Sequence, residues 1–373
     1  MATKIPVQPS NASAVFDLPP LPSFSLTPVQ PLIAGIPDLY LSLIVTFAAY
    51  WLLSLFFHYI DITDIWARYR LHTPAEILKR NHVSRYEVVR DVLVQQIIQT
   101  VVGVALGLTE PEDMTGREDY DIARWAQRLR LAQRALPQLL SLLGLNAAAI
   151  SKNVSGNHPM IAGLLAGGKY PSLDMGLDVL SGASIPSFAT WEIFTAKAIY
   201  WYLVPALQLG LAVFCVDTWQ YFVHRGLHMN KWLYTTFHSR HHRLYVPYAF
   251  GALYNTPFEA FLDTLGASIA YKVAGLTTRQ GMVFFVFSTI KTVDDHCGYS
   301  LPWDPLQHIT SNNAGYHDIH HQSWGIKTNF SQPFFTFWDR LLGTIWRGDT
   351  ARRYEQSQKA AQFKIDAEKI QVP

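Results

Sequence analysis

The sequence predicts an all-α fold: an integral membrane helical bundle with a histidine-rich cap on its cytosolic face. Three observations lead there. Charged residues make up only 16% of the 373, where soluble domains average about a quarter. Three apolar runs are long enough, or nearly so, to cross a bilayer. Ten of the 14 histidines fall between His224 and His321.

The first 38 residues are rich in Pro, Ser and other small residues, with Lys4 the only cation. They lack the basic start, short apolar core and small-residue cleavage site of a cleaved signal peptide, and read as a lumenal tail over 1–38. Leu39 to Ile60 has no Asp, Glu, Lys or Arg in 22 residues, enough for a bilayer core of about 20 residues. Val92 to Leu108 and Ala198 to Val216 are the second and third candidate spans, and 39–216 reads as a transmembrane and linker region. Between the first two lie Arg68, Arg70, Lys79, Arg80, Arg85 and Arg90, and Arg225, Lys231, Arg240 and Arg243 follow the third. Such loops face the cytosol, which sets the N-terminus in the lumen.

Between spans two and three, Ile122, Trp125, Leu129, Ala132 and Leu136 recur at helical spacing, with Arg124, Arg128 and Arg134 elsewhere on the wheel. This amphipathic helix suits a lipid interface or the packing face of a domain core equally. Residues 139 to 190 read as loop, with many Gly, Ser and Pro and a sequon at Asn153. Glu259 to Ile290 is apolar in two halves broken near Gly275 to Gly281, each short and each carrying charge (Asp263, Lys272, Arg279). That favours a re-entrant or tilted hairpin over 259–290 rather than one span. The catalytic region then covers 217–350, and 351–373 is a cytosolic tail.

The composition excludes several classes. The apolar content is too high for disorder. Cys215 and Cys297 are too few for a disulfide framework. A net charge of +2 lacks the basic excess of a nucleic-acid binder.

The histidines carry the chemistry. His224 and His228 stand four apart after the third span, which puts both on one helical face. His238, His241 and His242 form H-S-R-H-H, and His317, His320 and His321 repeat the spacing in H-D-I-H-H. Within each of these boxes positions i and i+3 share a face and the adjacent His points to a neighbouring direction, so one helix can feed two metals. His296, in D-D-H-C-G-Y, is a ninth candidate, and His308 a weaker tenth. His58, His72, His82 and His158 are scattered and read as structural or solvent-facing. Imidazole suits Zn, Cu, Fe and Ni. Eight or nine ligands exceed the three or four of a zinc ion. No His is followed by Glu, so the H-E-x-x-H of zinc proteases is absent, as are the Glu-x-x-His pairs of soluble di-iron bundles. An all-histidine, or nearly all-histidine, dimetal centre next to a membrane remains. Asp217, Asp294, Asp295 and Asp318 sit beside the boxes, and Asp294, Asp295 and Asp318 can orient metal-bound imidazoles. His224 lies eight residues past Val216, about 12 Å along a helix, which sets the centre at the cytosolic edge of the bilayer. For boxes before 243 and after 295 to converge, the segment between them must return to the same face, as a hairpin does.

The order H-x3-H, H-x2-H-H, H-x2-H-H with several spans resembles the fatty acid hydroxylase superfamily of membrane di-iron oxygenases, and most closely its sphinganine C4-hydroxylase branch. HSRHHRLYVPYAFGALYNTP, TVDDHCGYSLPWDPLQ and YHDIHHQSWGIKTNFSQPFFTFWDR carry the likeness. The resemblance implies iron held by His224, His228, His238, His241, His242, His317, His320 and His321, with His296 a further ligand. It implies O2 as oxidant, and electrons from NAD(P)H through a separate cytochrome b5 and its reductase. It implies residence in the endoplasmic reticulum membrane, and a sphingoid base or ceramide as substrate, drawn from the bilayer. The superfamily also holds sterol C4-methyl oxidases, C5 desaturases and fatty acyl hydroxylases. A membrane metal transporter or sensor is the reading from another class; transporters place ionisable ligands within spans, whereas these histidines follow a span or lie between helices.

Overall fold

The computed structural model describes residues 3–4, 18–170, 173–177 and 184–371; of the tail expected over 1–38, residues 1–2 and 5–17 lie outside it. The chain divides into two compact units. Met1–Gln30 with Glu112–Leu207 is the first; Pro31–Pro111 with Gln208–Pro373 is the second. Helix α1 (Asp38–Thr63), α2 (Pro74–Arg80) and α3 (Arg85–Gly107) open the second unit. Helix α4 (Glu118–Gln133) belongs to the first. Helix α5 runs unbroken from Thr190 to Met229, 40 residues with a π-helical turn at Ile199–Leu203. It leaves the first unit at Leu207 and enters the second at Gln208. Helices α6 (Pro257–Ala274), α7 (Thr278–Asp295), α8 (Ala314–His321) and α9 (Thr350–Gln371) complete the second unit.

Helices α1, α3 and α5 are long and apolar enough to cross a membrane. The first and third extend past the expected spans at both ends and the second at its start, and the third does so most: the first histidine box rides on its last turns. Little of the apolar surface of these helices is buried in protein, 22%, 28% and 11% of their most apolar windows. Outward-facing side chains such as Leu52, Ile97, Val101 and Leu207 remain exposed. Faces of this kind are stable only against lipid.

The hairpin expected at 259–290 is present as α6 and α7. Thr256 starts α6 with a reciprocal capping box to Glu259, and Thr277 starts α7 with one to Gln280. Gly275 ends α6 at φ +61, a left-handed turn that a side chain rarely tolerates. Helix α7 packs along α1 and α6 along α3. The core between them holds Tyr50, Phe57, Val88, Val92, Tyr248, Tyr254 and Tyr299. Tyr248 and Tyr254 are thus core residues. Ala212 and Val216 of α5 pack on Ala270, Phe284 and Phe334. The segment over 351–373 is helical as α9 to Gln371 and lies against α2.

In the first unit, α4 buries Ile122 and Ala126 against Ala196, with Trp125, Leu129 and Ile193 around them. The amphipathic face therefore packs on protein. Arg130 makes a buried bidentate ion pair with Glu192. The stretch expected as loop over 139–190 contains short helices at Leu136–Leu142, Ala147–Val154 and Pro159–Leu165. Gly144, Ser155 and Gly156 sit between them, while Asn146 caps the second and Pro159 opens the third. Asn153 is exposed on the second of these helices. Short antiparallel strands at Thr3–Lys4, Ser25–Pro28 and Met114–Thr115, and at Asp174–Leu177 and Ser184–Pro186, are minor additions to the helical fold.

Candidate metal centre

All nine predicted histidines converge, and they sort into two groups. His224, His228, His238, His242 and His320 form one; His241, His296, His317 and His321 form the other. Within each group the nearest ring nitrogens or their equivalents lie within 4.8 Å of one another, and every member is buried. His308 is exposed and joins neither.

The sorting differs from the expected sharing of a face at i and i+3. In the second box His238 and His242, four apart, go to the first group and His241 crosses to the second. In the third box His317 and His321, also four apart, go to the second group and His320 crosses to the first. On an α-helix such as α8, four residues separate directions by about 40° and three by about 60°, so the i, i+4 pair of the third box is the tighter one. Each group therefore receives a pair from one box and a single ring from the other. This exchange couples the groups: the rings of His242 and His321 are 4.9 Å apart.

Hydrogen bonds fix most of the rings. Nδ1 of His224 donates to the carbonyl of Phe330 at 2.9 Å, His296 to Thr292 at 2.8 Å, His320 to Thr328 at 2.7 Å, His321 to Leu244 at 2.8 Å and His241 to Tyr254 at 3.2 Å. His238 donates Nδ1–H to the carboxylate of Glu259. With Nδ1 protonated, Nε2 carries the lone pair and points inward. Nε2 of His242 is 3.1 Å from Nε2 of both His228 and His238, and Nε2 of His317 is 3.0 Å from that of His296 and 3.1 Å from that of His321. Neutral nitrogens aimed at one another this closely repel unless a cation sits among them. Adjacent donors on an octahedral ion with bonds of about 2.1 Å are roughly 3.0 Å apart. The donor set therefore fits two metal ions.

Burial holds the imidazoles outside the spans neutral. It pushes His238, His241 and His296 down to about 3, and holds His242, His317, His320 and His321 well below the ordinary histidine value. Neutral imidazole is the form that ligates a metal.

The predicted carboxylates have other work. Asp294 accepts from Gln307 at 3.0 Å, and Asp295 pairs with Lys291 and accepts from Asn312 at 3.0 Å. Among the described residues neither is hydrogen-bonded to an imidazole of the two groups, because the end of α7 turns both toward the loop before α8. Asp318 faces outward from α8 and accepts from His72 at 2.9 Å and from the Tyr354 hydroxyl. Asp217 accepts the backbone N–H groups of Phe334 and Phe335.

The supporting roles of three residues went unseen in the sequence. Glu259 supports His238. Asp339 is fully buried and accepts the N–H groups of Phe330 and Ser331 and the Tyr316 hydroxyl. It thereby holds the strip whose carbonyls orient His224 and His320. His72 donates to both Asp318 and Glu76 and is held up to about 9: burial opposes its charge, but the two carboxylates prevail. The Thr256-x-x-Glu259 capping signature could have flagged Glu259, whereas Asp318, which ties His72 to α8, is 246 residues from it, and Asp339 serves a loop with no helical spacing to announce it.

A cavity of about 250 Å³ opens from the histidines between α1, α3, α5, α6 and α7. His224 and His238 of one group, and His241, His296 and His317 of the other, face it. Both groups therefore address the same space, walled by membrane-type helices.

Fold and site together define a class: a membrane-type helical protein with two buried histidine groups fit to hold metal ions. A model of the fatty acid hydroxylase family matches residues 209–344. The sphingolipid C4-hydroxylase sur2 of Schizosaccharomyces pombe is 43% identical over 327 residues, 87% of this chain and 94% of that protein. Its namesake in Saccharomyces cerevisiae is 42% identical over 339 residues, 91% and 79% of the two chains. Sphinganine C4-monooxygenase 1 of Arabidopsis thaliana is 34% identical over 336 residues, 89% and 98%. No solved structure matches the chain. The chain belongs to the fatty acid hydroxylase family.

Proposed function

We propose that the chain is a membrane di-iron monooxygenase that hydroxylates C4 of sphinganine or dihydroceramide, giving phytosphingosine-type products in sphingolipid biosynthesis. One observation carries the chemistry: two all-histidine groups, of five and four rings, face one cavity walled in part by three membrane-type helices. The names of relatives aligned over most of this chain carry the substrate. His224, His228, His238, His242 and His320 hold one iron; His241, His296, His317 and His321 hold the other. The metal pair, when bound, supplies the oxidising power toward an unactivated C–H bond that no side chain has.

The remaining work falls to the protein. Backbone carbonyls and Glu259 fix the tautomer and direction of the rings. The buried surround keeps them neutral and excludes water. The cavity brings the lipid carbon to the site. One oxygen atom of O2 enters the C–H bond, and the other leaves as water with two electrons and two protons. Those electrons come from NAD(P)H through cytochrome b5 and its reductase, as the family resemblance implies. The Lys and Arg between the first two spans and after the third support a cytosol-facing site, in the endoplasmic reticulum membrane.

The test is product analysis. Microsomes containing the protein, given sphinganine or dihydroceramide, are expected to form the C4-hydroxylated base or ceramide by mass spectrometry. His241→Ala and His320→Ala are each expected to abolish the product. Full activity in either variant, or hydroxylation at another carbon, would refute the reading.

A further inference from the structure

Three carboxylates line the cavity: Glu259, Asp263 and Asp295. Glu259 is bonded to His238, and Asp295 is paired with Lys291. Asp263 has no such partner. Its oxygens accept from Gln220 Nε2 at 3.1 Å and from Asn255 Nδ2 at 3.2 Å, both neutral amides. Among the described residues no cation pairs with it. A carboxylate withdrawn from bulk water without a counter-charge is costly, so an unpaired one lining a cavity marks a place where a cationic partner would bind.

The position of Asp263 says what that partner is. Gln220 lies one helical turn before His224 on α5. Asp263 lies one turn after Glu259, which supports His238 from α6. Its amide partner Gln220 thus stands about 6 Å of helix from His224, and Asp263 itself stands about 6 Å of helix from the carboxylate that supports His238. Thr264 and Ser268 continue a polar lining along α6, which suits the polar end of a lipid better than its tail. In a sphingoid base the ammonium is on C2, two carbons from C4.

We propose that Asp263 receives the ammonium of a free long-chain base and so sets C4 at the two histidine groups. The inference rests on the C4-hydroxylase reading above and narrows its substrate. An N-acylated base carries a neutral amide at C2 and cannot neutralise Asp263. The free base is therefore the preferred substrate, and Asp263 is the residue that makes the preference.

The test uses the full-length protein in microsomes, with product quantified against concentration of sphinganine and of dihydroceramide. Asp263→Asn is expected to raise KM for sphinganine by at least about tenfold, as expected for losing one partner of a desolvated charge pair. KM for dihydroceramide should rise far less, so the preference collapses. Equal losses on both lipids, or none, would overturn the assignment. A second measurement needs no variant: sphinganine lacking its 2-amino group, given to the wild-type protein, should show the same rise in KM, and an unchanged KM would also overturn it. If the wild-type protein forms no C4-hydroxylated product from either lipid, the C4-hydroxylase reading falls instead, and is distinguished by that.

Discussion

His238 donates a hydrogen bond from Nδ1 to Glu259, and the same carboxylate closes the capping box that starts α6. One residue thus fixes a metal-facing ring and the first turn of the helix that lines the cavity. The two roles separate chemically, because a capping box accepts Gln as well as Glu. Glu259→Gln should keep α6 intact and remove only the anionic acceptor of the imidazole. The expected result is about 10- to 100-fold weaker retention of metal, followed as iron per chain during chelator challenge. Iron held as firmly as in the wild type would rule out this supporting role.

The groups are unequal, five rings against four, and that gives a second expectation. His296→Ala leaves three histidines in its group, whereas His228→Ala leaves four in the other. The first should lose about one metal per chain, and the second should retain nearly the full complement, since four protein ligands suffice for a tightly held ion. Elemental analysis of the purified variants decides it. Equal loss from both would contradict the sorting of the rings.

The sequence was informative where physics is local. Uncharged runs announce helices that meet lipid, and boxes at helical spacing announce rings that share a face. Both depend on neighbours within a few residues. The crossing of His241 to the other group was not legible, because it depends on how a π-helical turn at Tyr234–His238 and a 3-10 turn at His241–Arg243 present their rings. Nor was His72, a lone histidine whose partner Asp318 is 246 residues away. Asp294 and Asp295 misled by proximity: they adjoin His296 in sequence, but the end of α7 turns them toward Gln307 and Asn312. The helices within 136–165 were hidden by a Gly- and Ser-rich composition, although Asn146 and Pro159 are ordinary helix starts.

His72 predicts a pH dependence with a definite sign. Burial disfavours its charge, yet Asp318 and Glu76 raise it to about 9 from an ordinary 6.5. A group whose folded pKa is raised stabilises fully below its unfolded pKa and loses that contribution as pH rises through the folded value. The contribution is on the order of 3 kcal/mol, present at pH 6 and lost progressively from pH 6.5 to beyond 9. Thermal melting in nanodiscs should therefore fall across this window, and His72→Gln should flatten the fall. A wild-type profile as flat as the variant's would exclude the ion cluster as its source. The loss should be felt near the third box, because Asp318 ties α8 to His72 and, through Tyr354, to α9.

Gly266 sets α6 against α5, and two effects of opposite sign compete there. Replacing a helical Gly by Ala ordinarily stabilises by about 1 kcal/mol. At Gly266, however, a Cβ would come within 2.1 Å of the Trp219 ring, with its inner atom Cγ at 2.6 Å. That ring is not free to swing away, because its Nε1–H donates to the Leu262 carbonyl at 3.1 Å. Overpacking of this kind costs about 1–3 kcal/mol, so the clash outweighs the propensity. Gly266→Ala should lower the melting temperature, and because Asp263 and Gln220 bridge the same two helices, it should also raise KM for the lipid. Gly210→Ala on α5 is the control: nothing lies within 4 Å of its Cβ, and it should melt at or above the wild-type temperature. A Gly266→Ala variant as stable as the control would show that α5 and α6 are not in close contact at this position.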